Sequence, residues 1–115
     1  MDVQCKYHDF SSADNFTISG DLRVKGLYMS HPVSASAVGG VNIPRPVEFK
    51  SGSASGATLL TLYLIIPTWY QPDPFVNVPG DGVRFPDGLY VASPQFGSGP
   101  SNVIETMTLI YQGSA

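Results

Sequence analysis

Gly82-Val83-Arg84-Phe85-Pro86-Asp87-Gly88-Leu89-Tyr90-Val91 decides how this chain is read. Val83 and Phe85 alternate with Arg84, and Leu89 and Val91 alternate with Tyr90. That two-residue period belongs to strands that bury one face. Between the two segments, proline fixes φ, aspartate bonds local backbone and glycine accepts positive φ, so Pro86-Asp87-Gly88 predicts a tight corner. Two short strands bent about a corner point to an all-β chain, and no residue in the stretch suggests catalysis.

The neighbouring sequence continues the pattern. Upstream, Phe75-Val76-Asn77-Val78 reads as a short strand and Pro79-Gly80-Asp81-Gly82 as a turn. Downstream, residues 93–101 form a Gly/Pro/Ser loop around an isolated Phe96. Val103, Glu105, Met107, Leu109 and Tyr111 then alternate to the C-terminus, a strand apolar enough to be expected at the centre of a sheet. Near the N-terminus, Val3, Cys5 and Tyr7 alternate with Gln4, Lys6 and His8, and Phe16 to Ser19 gives a second strand stopped by Gly20. Leu22 to Met29 gives a third, with Gly26 breaking the pattern where a bulge would switch the buried face.

Residues 31–46 hold no period, and with Pro44, Arg45 and Pro46 they read as a loop with at most one edge strand. Val47 to Lys50 is an alternating strand, and Ser51 to Gly56 a hairpin loop of small residues. Ala57 to Ile66 is the most apolar strand. Both its faces are apolar, which leaves a central position in a sandwich or a face covered by a neighbouring subunit. About eight strands at sandwich-like spacing, and no capped helical period, predict a single antiparallel β-sandwich domain over residues 1–115, with a jelly roll as its candidate topology.

Composition narrows the function classes. Of 115 residues, 43% are hydrophobic and 13% charged, against about 25% charged in an ordinary soluble domain. Charge depletion is a mark of protein interfaces, so an assembly subunit or homo-oligomer is expected. The net charge of −3 and six scattered basic residues, with no stripe, exclude a phosphate-neutralising surface and hence a nucleic-acid partner. The longest apolar run, Leu62 to Pro67, is too short to span a bilayer. The first six residues lack the basic start and apolar run of a secretory leader, so cytosolic synthesis is expected and the Asn15-Phe16-Thr17 sequon is read as accidental. Cys5, the single cysteine, excludes a disulfide framework and reads as a small buried hydrophobe.

Catalysis and metal binding find little to use. His8 and His31 are the only histidines, and neither a nucleophile elbow nor a zinc-protease motif is present, so no enzymatic activity and no cofactor are expected. Asp73, Asp81 and Asp87 each adjoin proline or glycine, where aspartates make turns, and calcium-loop spacing is absent. Trp69 and Tyr70, beside Gln71, either stack on a sugar or anchor a protein, or Trp69 plugs one end of the sandwich.

Three segments together resemble small virion proteins of tailed bacteriophages. They are Leu22-Arg23-Val24-Lys25-Gly26-Leu27-Tyr28-Met29-Ser30; the Val47 to Leu62 unit of strand, Ser/Gly turn and Leu-Leu-Thr-Leu; and Val76 to Gly113, with Gly82 to Val91 inside it and Thr108-Leu109-Ile110-Tyr111-Gln112-Gly113 at its close. The likeness covers most of the chain from Leu22 onward and consists of strand and turn patterns. It implies a non-enzymatic structural component of the particle, assembled in many symmetric copies in the host cytoplasm against the major capsid protein or other virion proteins. A capsid decoration (cement) subunit is the leading expectation, with a ring or adaptor subunit of the neck or tail as the alternative. From another class, a carbohydrate-binding module would use Trp69 and Tyr70. Candidate partner contacts are Pro44, Arg45, Trp69, Tyr70, Gln71 and Phe96.

Overall fold

Alternating apolar residues punctuated by Gly, Pro and Asp give strands and no helix among the described residues. A computed structural model describes residues 3–10, 12–30, 44–65, 75–92 and 106–113, with the backbone alone at 44, 45, 64 and 65. Its nine strands are β1 (Val3–Asp9), β2 (Asn15–Ile18), β3 (Leu22–Ser30), β4 (Pro44–Ser51), β5 (Thr58–Ile65), β6 (Phe75–Asn77), β7 (Val83–Phe85), β8 (Leu89–Ala92) and β9 (Thr106–Gly113). All pairings are antiparallel. The first sheet runs β1-β9-β3-β6, with β7 also on β3, and the second runs β2-β8-β4-β5.

β6 and β7 act as one interrupted strand. Tyr28, Leu27 and Gly26 of β3 pair with Phe75, Val76 and Asn77, while Val24, Arg23 and Leu22 pair with Val83, Arg84 and Phe85. The Pro79–Gly82 turn, closed by the Gly82 amide donating to the Pro79 carbonyl at 3.3 Å, loops out between them. Counted so, the described residues form eight strands, four to a sheet.

The apolar faces of both sheets share one core. Leu22, Val24, Leu27, Met29, Phe85, Met107 and Leu109 enter from the first sheet, and Phe16, Val47, Phe49, Leu89 and Val91 from the second. Each side chain of this size buried from water contributes about 1.5–3 kcal/mol. Leu22 and Val24 are even-numbered, Leu27 and Met29 odd. The change of phase comes from a bulge between Val24 and Gly26, as the break at Gly26 predicts. Lys25 is the extra residue, and its carbonyl accepts the Val78 amide at 2.9 Å.

The corner read from the central stretch is where the chain leaves the first sheet for the second. Phe85 ends β7 fully buried, Leu89 opens β8 fully buried, and the Gly88 amide donates back to the Phe85 carbonyl at 3.3 Å. A second corner, Ser19-Gly20-Asp21, carries the chain from β2 back to β3 beside it. Arg84 joins the two: Nε donates to Asp21 Oδ1 at 3.1 Å and Nη2 to Oδ2 at 2.8 Å. The Arg84 hydrogen bond holds the Asp21 carboxyl below its usual value, and Asp21 in turn raises Arg84. A carboxylate so lowered stabilises the fold above the pKa it has when unfolded and loses that contribution as pH falls through the folded pKa. Because the pair is exposed and screened by water and salt, Asp21→Asn is expected to leave the urea midpoint almost unchanged at about pH 7. Below about pH 4 the wild type should lose a little stability that the variant does not lose. A variant that shares the acid loss in full would assign it to other carboxylates.

Three expectations need correction or refinement. Cys5 is exposed, not buried. β1 registers on β9 with Cys5 opposite Ile110, on the outward face, while Lys6 lies opposite buried Leu109. Among the described residues β5 is an edge strand of the second sheet and not a central one. Pro44 and Pro46 belong to β4 itself, opposite Ile65 and Tyr63. They are tolerated because β8 reaches only Phe49 to Ser51, which leaves the far side of that segment without a described neighbour.

Candidate protein-docking face

The outward face of the first sheet is the candidate site, and it follows from register. Tyr7 pairs with Thr108, Thr108 with Tyr28, and Tyr28 with Phe75, so one row crosses β1, β9, β3 and β6. The next row is Cys5, Ile110, Gly26 and Asn77. At a strand spacing of about 4.8 Å each row is roughly 15 Å long. Neither row carries a charged side chain.

Its large apolar groups stand in solvent. Tyr7 is 62% exposed, Val3 61%, Tyr28 50% and Phe75 48%. The Tyr28 and Phe75 rings lie 4.6 Å apart between centroids, tilted at 51°. Gly26 lies beside this pair, and it is the β6 backbone that requires a glycine there: a Cβ would stand 2.9 Å from the Val76 carbonyl oxygen, but at an ordinary contact distance of 3.6 Å from the Phe75 ring. Aromatic side chains preset by a neighbour lose little entropy when a partner covers them.

Polar groups frame the rows. At one end the Ser30 and Thr106 hydroxyls meet at 2.6 Å, and the Thr106 amide donates to Ser30 Oγ at 3.0 Å. At the other, Arg23 lies opposite both Gln112 and Arg84. An apolar centre with a polar margin is the plan of a protein interface.

His8 is occupied structurally. Its ring packs edge-on against Phe10 at 4.7 Å and tilted on Phe16 at 4.9 Å, and Nε2 donates to the Ala13 carbonyl at 2.8 Å. Asp81 and Asp87 sit in the two turns where their neighbours place them. Among the described residues no group of three His, Cys, Asp or Glu side chains converges as a metal site.

Of the contacts chosen from sequence, Trp69, Tyr70, Gln71 and Phe96 lie outside the described residues, as do His31 and Asp73. Pro44 and Arg45 are placed by backbone only, opposite Ile65 and Leu64 in the β4–β5 ladder. The outward row is not visible in the sequence, where Tyr7, Tyr28 and Phe75 stand far apart. The signal in the sequence is Val3 and Tyr7 alternating with Gln4 and Lys6, which gives a strand but not the direction in which its apolar face turns. Comparison with family models, with curated proteins and with solved structures found no match for this chain.

Proposed function

We propose that this chain is a non-enzymatic structural subunit of a tailed-phage virion, a capsid decoration protein whose first-sheet face docks on the shell. The observation that carries the reading is the uncharged row of Tyr7, Tyr28 and Phe75, exposed on a chain already poor in charge. Strand order supports a jelly roll, because β1-β9-β3-(β6, β7) facing β2-β8-β4-β5 is the arrangement of an eight-stranded double sheet with crossing connections. Capsid and lectin domains both use that architecture, so it raises the virion reading by fold analogy alone. Each docked copy covers a modest area, and the stability of the shell comes from symmetric repetition of that contact.

Light scattering of the purified chain, with and without capsid shells assembled in its absence, tests the reading. Saturable binding that raises the melting temperature of the shells is expected. The double variant Tyr7→Ser/Tyr28→Ser should bind at least about tenfold more weakly while melting within a few degrees of the wild type. A closed ring that ignores shells would move the subunit to the neck or tail. A chain inert to shells that binds glycans would replace the virion reading with the carbohydrate-binding one.

A further inference from the structure

We infer that the free edge of β5 pairs with β5 of a second copy of this chain, across a two-fold axis. The four sheet edges differ in how far they resist such pairing. β1 carries Lys6 on its core-side face, β2 is four residues long, and β6 and β7 are three each, with Arg84 in β7. Charge, shortness and interruption are the usual devices that blunt an edge. β5 has none of them: it runs eight residues, Thr-Leu-Leu-Thr-Leu-Tyr-Leu-Ile, without charge, glycine or proline. Its one irregularity, a bulge against β4 at Leu59, leaves the strand regular from Leu60 onward. Among the described residues it pairs with β4 alone.

The occupant follows from the sequence of the strand. A two-fold contact must complement itself. Leu59-Leu60-Thr61-Leu62-Tyr63 reads alike in both directions: apolar, leucine, threonine, leucine, apolar. Antiparallel pairing centred on Thr61 sets Leu59 opposite the partner copy's Tyr63 and Leu60 opposite its Leu62, with the two Thr61 residues facing each other on the axis. Leu59 and Tyr63, 42% and 65% exposed, would then cover one another on the outer face. Leu60 and Leu62, already packed against the core, would extend its apolar row from one copy to the next. Glu48 and Lys50 of the adjacent β4 are engaged within the copy, by Thr58 Oγ1 and the Ala54 carbonyl. A strand bearing charge would set it against this uncharged edge, whereas a second β5 does not.

The contact is on the second sheet and does not rest on the docking of the first, so either can fail alone. One strand pair is smaller than a standard interface, which sets the expected dimer Kd at about 10–100 µM. Sedimentation velocity on the full chain from about 5 to 500 µM should show a monomer–dimer equilibrium. Thr61→Lys and Thr61→Glu, which bring like charges together on the axis, should each raise Kd at least about tenfold, and their equimolar mixture should restore the dimer. Thr61 is exposed, so circular dichroism and melting should match the wild type. If Thr61→Lys misfolds, Tyr63→Lys serves with the same expectation. A chain that stays monomeric throughout, or a dimer left intact by these folded variants, overturns the inference.

Discussion

Gly88→Ala is expected to destabilise the chain by about 2–4 kcal/mol, enough to lower its melting temperature by about 10–20 °C. Gly88 has φ of 98°, and a Cβ there would stand 2.9 Å from the Ile18 carbonyl oxygen and 3.6 Å from Ser19 Cα. Those atoms belong to the end of β2 and the corner that follows it. β2 cannot retreat, because Ile18 is registered on Leu89 directly after the glycine. The Gly88 carbonyl also accepts the Gly52 amide at 3.0 Å, which ties the β4–β5 hairpin to the same point. Gly80→Ala separates strain from collision: its φ is 67°, but nothing lies within 4 Å of the added carbon. That variant should cost about 1–2 kcal/mol. Equal urea midpoints for the two would show that crowding at the corner adds nothing.

The corner was legible because its cause is local. Pro86, Asp87 and Gly88 each favour the turn by their own backbone chemistry, and alternation on either side sets which residues turn inward. The bulge at Gly26, the Ser51–Gly56 hairpin loop and the inner position of the last strand were legible for the same reason. What failed was choice of face and of neighbour. In β1 both faces are mixed, and the more apolar set, Val3, Cys5 and Tyr7, faces outward. Register on β9 decides that, and a slip of one residue would invert it. Nothing within β1 encodes its register. Likewise β5 shows two apolar faces, but whether a strand lies on both of its sides depends on the whole order β2-β8-β4-β5.

The candidate site was less legible than the fold. Its row is assembled from β1, β9, β3 and β6, and its parts meet only after three registers are set. The Arg84–Asp21 pair, 63 positions apart, is hidden in the same way. Sequence does place a tyrosine at 28 and a phenylalanine at 75. It does not say that their rings touch, or that the β6 backbone comes too close to Gly26 for a side chain there.

Two phenylalanines ten positions apart should divide the work of fold and function. Phe85 is wholly buried at the end of β7, within the core fed by both sheets. Phe85→Ala should therefore cost about 3–5 kcal/mol through lost burial and the cavity left behind. Phe75 is 48% exposed, and its ring rests on Tyr28 on the outer face. Phe75→Ala should cost less than about 1 kcal/mol of stability but weaken shell binding at least about tenfold. Urea denaturation and shell binding of both variants check the division. If Phe75→Ala unfolds as readily as Phe85→Ala, the outer ring pair is needed to hold the first sheet together. If Phe75→Ala is stable and binds shells as the wild type does, the row is not the docking face. Stability retained with binding lost is the outcome expected of a residue that folding leaves in solvent and a partner covers.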